Sequence, residues 1–198
     1  KCKACLDSEQ PLRTMDLDPA EAKVVRSYGL ITAKPILYVA NVDEEHADGS
    51  GDHVAAVRKY AEEHGGGVVV VCAKIESELA EMDESDKLEM LESLGMDEPA
   101  LAKVSRGSYD LLGLQSYFTA GPKEIRAWTI RKGYTAPKAA GVIHGDFERG
   151  FIRAECYLVR DLEQYTNEKS IREAGKLRSE GKDYIMQDGD CVFFKFNV

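Results

Sequence analysis

Two short apolar runs constrain this chain more than anything else in it. Ile36-Leu37-Tyr38-Val39-Ala40 follows Pro35 without a single charge and exits into Asn41-Val42-Asp43-Glu44. Val68-Val69-Val70-Val71-Cys72-Ala73 repeats the pattern and exits into Lys74. Both are too short and too β-branched for buried helices, and neither alternates polar with apolar. Continuous apolar strands are the mark of a parallel sheet covered on both faces. Between them, Val54, Val57, Tyr60 and Ala61 leave one apolar face on a helix that Asp52 can cap and that runs to His64, with Gly65-Gly66-Gly67 closing it. Strand, helix and parallel strand form one α/β unit, and such sheets bind ligands outside the carboxyl ends of their strands. Asn41–Glu44 and Cys72–Lys74 are therefore the candidate site loops. An ordinary buried strand leaving into a polar loop would read the same way.

The rest of the chain bounds the function. At 198 residues there is room for one large or two modest cores, and 43% hydrophobic with 31% charged content is that of a globular protein. No apolar run approaches the roughly 18 residues that span a bilayer, and no signal-peptide core is present, so a soluble, cytoplasmic protein without a membrane role is expected. Five scattered cysteines argue for reduced thiols, and Cys2-Lys3-Ala4-Cys5 lacks the second pair or histidine a metal site needs. The four histidines share no ligand spacing. Net charge divides unevenly: residues 1–113 carry 12 basic against 23 acidic side chains, whereas 114–198 carry 14 against 12. An acidic first part does not seek polyanions, DNA binding is not expected, and only the second part is a candidate for touching RNA.

In chain order, residues 1–9 look like the tail of a helix, and Pro11 stops it. Asp18-Pro19 is an N-cap followed by proline at the first helical position, and Ala22, Val24, Val25 and Tyr28 form a stripe that ends at Gly29. Residues 77–113 are helical in pattern, with Leu88, Met90, Leu91 and Leu94, then Leu101, Val104, Tyr109, Leu111 and Leu112 as packing positions. Beyond Leu114 the texture changes to short strands: 115–120, 124–131 and 152–159, the last with Ile152, Ala154, Cys156 and Leu158 on one face. A short helix from Thr135 to His144 and a helical piece through 169–175 separate them, and Tyr184–Met186 with Cys191–Phe196 reads as a hairpin turning at Asp188-Gly189. Strands, a helix and further strands outline a β-grasp module.

Several chemistries are missing. No Gly-x-x-x-x-Gly-Lys-[Ser/Thr] phosphate loop occurs; Gly175-Lys176 and Gly181-Lys182 are followed by leucine and aspartate rather than a hydroxyl. Asp110-Leu111-Leu112-Gly113 matches a switch pattern but ends a helix instead of following a strand. There is no nucleophile elbow.

In GTPase folds the first strand ends in Asn-Lys-x-Asp, whose carboxylate reads the guanine edge, and the second in Ser-Ala-Lys, whose alanine amide reaches the base. Here Val42 replaces the lysine, Glu44 the aspartate and Cys72 the serine. A longer carboxylate cannot take the same place against the base, so the base preference is expected to change.

Taken with 114–121, 124–130, 139–154, 180–184 and 188–197, these motifs closely resemble the YchF/Obg-like ATPase family over nearly the whole chain. The resemblance implies a partial P-loop NTPase-type parallel sheet with flanking helices, followed by an α+β β-grasp (TGS) domain. Residues 1–33 would be the end of a helical hairpin and a connector, 34–113 the second half of the ATPase domain, and 114–198 the TGS domain. It implies ATP preferred over GTP and hydrolysed to ADP, with Val42 against the adenine, Asn41 holding loop and base, Glu44 completing the altered motif and Ala73 giving a backbone contact. The phosphate loop and the Mg2+ ligands would precede Lys1, leaving this chain alone inactive. Ribosome association makes Lys123, Arg126, Arg131, Lys132, Lys138, Arg149 and Arg153 candidates for contact with ribosomal RNA or protein. The rival reading is a TGS module that binds RNA, ribosome or a protein partner without catalysis.

Overall fold

The computed structural model describes residues 1–121 and 124–197; Lys123, one of the candidate contact residues, lies outside them. The chain divides into two compact units, Lys1–Leu112 and Gly113–Val198.

In the first unit, α1 (Cys2–Asp7) and α2 (Pro19–Ser27) precede β1 (Ile36–Asn41), α3 (Asp52–Glu63), β2 (Gly66–Val71), α4 (Ala73–Ala80), α5 (Glu84–Ser93) and α6 (Ala100–Leu111). The cap of α2 forms as its sequence dictates. Asp18 accepts the Ala20 and Glu21 amides, and the Glu21 carboxylate accepts the Asp18 amide in return. β1 and β2 pair in parallel from Ile36↔Gly66 to Asn41↔Val71. Helices meet both faces of the pair: Tyr60 of α3 packs edge-on against Tyr38, while Gly107 of α6 sits against Val69 and Leu37. Only glycine fits at position 107, because a methyl group there would stand 2.5 Å from Val69 Cγ2.

Four local expectations need correction. Gly65 alone ends α3, with φ +65°, whereas Gly66 and Gly67 belong to β2, where a Cβ on Gly66 would come within 2.6 Å of the Tyr38 ring. β2 therefore exits two residues early and Cys72-Ala73 opens α4, with Gly51 rather than Asp52 at the cap of α3. Of the apolar stripes, Leu91 is buried but Leu88, Leu94, Leu101, Tyr109, Leu112, Val24 and Tyr28 are exposed. Periodicity marks a face as apolar without saying what covers it. Val39 is likewise half exposed, although α6 lies on its side of the sheet.

The second unit contains β3 (Leu114–Ala120), β4 (Ile125–Arg131), α7 (Ala136–Ile143), α8 (Gly145–Arg149), β5 (Phe151–Leu158), α9 (Val159–Tyr165), α10 (Glu168–Glu173), β6 (Arg178–Glu180) and β7 (Asp190–Phe196). Its five strands are ordered β4-β3-β7-β5-β6, with β3 parallel to β7 at the centre and the other pairs antiparallel. That is a β-grasp sheet. Three fully buried alanines, Ala136, Ala139 and Ala140, let α7 lie close on its inner face against Tyr117, Ala154 and Phe194. The Tyr117 hydroxyl donates to the Ala139 carbonyl at 3.0 Å, so the phenol is buried with its polar end satisfied.

The expected hairpin through Asp188-Gly189 does not form. The turn is tied elsewhere: Ser116 N–H donates to Asp188 Oδ1 at 2.8 Å, Gly189 N–H to the Ser116 carbonyl at 2.9 Å, and Met186 N–H to the Tyr134 carbonyl at 2.9 Å. β7 consequently runs between β3 and β5 instead of folding back on residues 184–186. In β5 a bulge between Phe151 and Arg153 puts Ile152 in solvent and Phe151 in the core, which overturns the alternation expected from Ile152. Past the bulge both faces are buried, Ala154 and Cys156 inward and Tyr157 outward against Ile171 and Cys191.

Candidate functional site

The parallel register brings the ends of β1 and β2 side by side. α4 begins at Ala73, and its N-cap, Cys72, offers no side-chain acceptor. The first amides of a helix have no partner within it. Asn41 supplies one from the neighbouring strand, its Oδ1 accepting the Ala73 amide at 3.0 Å. Val42 extends the ladder by donating its amide to the Val71 carbonyl at 2.9 Å, and its side chain packs, half buried, on the cluster of Cys72, Ile75, Leu79 and Leu91.

The two carboxylates that follow are both engaged. Asp43 caps the short turn Glu44–His46, accepting the His46 amide at 3.1 Å and lying 2.6 Å from His46 Nδ1. This contact raises the His46 pKa and lowers that of Asp43. Glu44 makes an ion pair with Lys74, whose ammonium is held above its ordinary range by that carboxylate. Gly51 closes the loop at φ +100°, and a Cβ there would stand 2.8 Å from the His46 ring. A cavity of about 250 Å³ opens beside the β1 exit, lined by Asn41, Val42, Asp43, His46 and residues 50–54.

Of the four base-site candidates, then, Asn41 and Ala73 are hydrogen-bonded to each other, Asn41 and Val42 line the cavity, and Glu44 is turned to Lys74. Sequence reasoning placed Asp43 and Lys74 in its candidate loops without giving either a role, and passed over His46. The Asp-x-x-His spacing at 43–46 was the available signal for Asp43 and His46; Lys74 carries none, since its partner lies 30 positions away.

The candidate contact residues do not gather in one place. Arg126 in β4 stands 4.0 Å over the Trp128 ring and 3.9 Å from Glu124, and Arg131 points to the opposite side of the same strand. Lys132 follows in the turn, Lys138 in α7 lies 4.3 Å over the Tyr134 ring, Arg149 pairs with Asp146, and Arg153 in β5 bonds to Glu155 at 2.9 Å. Among the described residues no group of three or more His, Cys, Asp or Glu side chains could hold a metal, and no helix is long and apolar enough to cross a membrane.

Comparison with known proteins supplies the family. Residues 114–197 match the model of the YchF GTPase C-terminal family, which is described as a protein of unknown function. The ribosome-binding ATPase YchF of Pasteurella multocida is 52% identical over 193 residues, 98% of this chain and 53% of that protein. The chain belongs to the YchF family. The Bacillus subtilis protein of the same description is 50% identical over 200 residues, 100% of this chain and 55% of that one. The solved structure of the Schizosaccharomyces pombe YchF GTPase superposes with a TM-score of 0.72 at 35% identity, covering 96% of this chain and 50% of that chain. The chain thus spans about half the length of the curated relatives it matches.

Proposed function

We propose that this chain is the C-terminal part of a ribosome-associated, cytoplasmic ATPase of the YchF family that takes ATP in preference to GTP and hydrolyses it to ADP. In this reading 1–33 is the end of a helical hairpin and a connector, 34–113 the base-holding half of the ATPase domain, and 114–198 the TGS domain. The relatives' names speak for nucleotide hydrolysis and, in the bacterial proteins, for ribosome binding, but they divide between ATPase and GTPase. Geometry supports the choice of base.

The observation that carries it is the Asn41–Ala73 hydrogen bond. A guanine site needs a free amide for the 6-oxo group and a free carboxylate for the ring N–H and exocyclic amine. Here the Ala73 amide is given to Asn41 and the Glu44 carboxylate to Lys74. Guanine would have to displace the Asn41–Ala73 hydrogen bond and compete with Lys74 for a carboxylate of which only Oε1 is engaged, and a buried base edge left unpaired is disfavoured. Adenine brings a donor at position 6 and asks for neither group. Specificity then comes from the engagement of both readers, with Val42 as an apolar neighbour.

Magnesium and the triphosphate are another matter. Neither a phosphate loop nor a metal-binding cluster is found among the described residues, so these side chains do not fit Mg2+. Their part is to hold the base.

Titration calorimetry of the complete protein with each nucleotide tests the reading. ATP binding at least tenfold tighter than GTP is expected, a difference of about 1.4 kcal/mol. Asn41→Ala, which frees the Ala73 amide, should narrow the gap. Equal affinities in the unaltered protein would overturn the base assignment.

A further inference from the structure

Turning guanine away is only half of a preference for adenine. The exocyclic amine of adenine is a donor, and once it leaves water it needs an acceptor. At the two strand exits the acceptors already hold donors. Asn41 Oδ1 takes the Ala73 amide, Glu44 Oε1 holds Lys74, and Asp43 Oδ1 faces both the amide and the ring of His46.

His46 itself is placed differently. It lines the cavity of about 250 Å³ beside the β1 exit together with Asn41 and Val42. Three contacts fix its ring. The His46 amide donates to Asp43 Oδ1 at 3.1 Å, Nδ1 lies 2.6 Å from the same oxygen, and Gly51 packs so closely that a Cβ there would stand 2.8 Å from His46 Cδ2 and 3.3 Å from Nε2. A carboxylate only accepts, so the Nδ1 proton faces Asp43 and the neutral ring carries its lone pair on Nε2. Glycine at 51 keeps that edge clear of a side chain, and among the described residues Nε2 has no hydrogen-bond partner. Protonation reverses its character: Nε2 then donates, which suits the 6-oxo group of guanine and opposes the 6-amine of adenine.

We propose that His46 is a specificity-determining residue of the base site, its neutral Nε2 accepting the exocyclic amine of an adenine nucleotide and its protonated form favouring 6-oxopurines, so that the preference between the two bases varies with pH. The inference rests on the adenine reading of this site and deepens it. Charged groups face the ring from three elements. In its own loop the hydrogen bond to Asp43 raises the His46 pKa most, and the charges of Asp43, Glu45 and Asp48 add to it. From α3, Asp52 and His53 line the same cavity and Arg58 lies against Gly49. From α4, Lys74 is paired with Glu44. The change of preference therefore falls above pH 6.5. An aspartate accepting the amine in place of His46 would give a preference that does not vary with pH.

Titration calorimetry of the complete protein with ATP and with GTP, from about pH 6 to about pH 8.5, tests it. The ratio of the two affinities cancels the titration of the triphosphate, which both nucleotides share. That ratio should rise in favour of ATP by about fivefold across the range, the worth of one hydrogen bond. Asp43→Asn should move the midpoint of the rise down toward 6.5, and His46→Gln, whose amide does not titrate, should leave the ratio flat. A merely structural role for His46 would change both affinities together and give no rise in the unaltered protein. A constant ratio there, or a rise that survives His46→Gln, would overturn the assignment, and the unaltered protein decides the matter even where a variant fails to fold. If ATP and GTP bind equally at every pH, the base reading itself falls; if ATP is preferred by a constant factor, the role of His46 falls alone.

Discussion

Replacing Asp190 by alanine should cost the second unit about 3 kcal/mol. The Asp190 carboxylate is completely buried at the start of β7 and accepts three hydrogen bonds of 2.9 Å, from Arg178 Nη2, the Tyr184 hydroxyl and the Gln187 amide. These partners come from β6, from the segment after it and from the turn before β7, so one carboxylate ties three stretches of chain together. Removing one member of a buried ion pair commonly costs 3–5 kcal/mol, chiefly because the other is left uncompensated. The Arg178 side chain is 33% exposed and keeps Glu180 at 3.5 Å, so it recovers some hydration and part of its compensation, which places the expectation at the lower end.

Trp128 makes the measurement selective. It is the chain's single tryptophan and packs on the core of the second unit, so its fluorescence in a urea titration follows that unit. With a denaturant slope of about 1–2 kcal/mol/M, a loss of about 3 kcal/mol moves the midpoint down by roughly 1.5–3 M. Asp190→Leu combined with Arg178→Met removes both charges and should recover at least half of that loss, since the uncompensated cation is gone. A midpoint shift below about 0.5 M for Asp190→Ala would refute the argument that this carboxylate knots the strands together.

Three further outcomes are expected. His46 should titrate above its ordinary 6.5 by NMR and return toward it in Asp43→Asn; the pair's contribution is complete below pH 6.5, is lost as pH rises through the raised value, and on the acid side persists until pH falls through an Asp43 pKa below 3.8. In a thiol-reagent assay at pH 8 the partly exposed Cys2 and Cys5 should react quickly and Cys72, Cys156 and Cys191 slowly, because all three are buried and burial pushes the Cys156 thiol up to about 11; all five should react in urea. Gly150→Ala should destabilise the second unit by about 1–3 kcal/mol, since the added methyl group would overlap the Asn197 carbonyl, whereas Gly141→Ala chiefly displaces the movable Glu148 carboxylate, with Glu148 Cβ at 3.1 Å, and should cost less, about 0.5–1 kcal/mol, read from the same Trp128 transitions.

What could be read from the sequence was what neighbouring residues decide among themselves. The cap at Asp18, the helix stop at Gly29 and the two apolar runs of the parallel pair all depend on residues within a few positions of one another. The Asp188-Gly189 turn was legible for the same reason, but the strand it serves was not: its anchor is the Ser116 amide, 72 positions away, and a local hairpin loses to a central position between β3 and β5, where antiparallel pairing with β5 accompanies burial of Val192 and Phe194. Ile152 failed because a single inserted residue shifts every side chain before it to the other face. Leu101 and Tyr28 failed because an apolar stripe says only that something should cover it.

The candidate site follows the same division, and there the consequence is chemical. Comparing motifs assigns a role by position: a carboxylate three residues after Asn41 should read the base, and so should the amide of Ala73. Geometry assigns a role by whether a group is still free. Glu44 finds Lys74 and the Ala73 amide finds Asn41, each across some 30 residues of chain, so both groups that positional reasoning would aim at a base are already spoken for. In the proposed reading, guanine is then disfavoured less by the extra methylene of Glu44 than by the engagement of the Ala73 amide with Asn41 and of Glu44 Oε1 with Lys74.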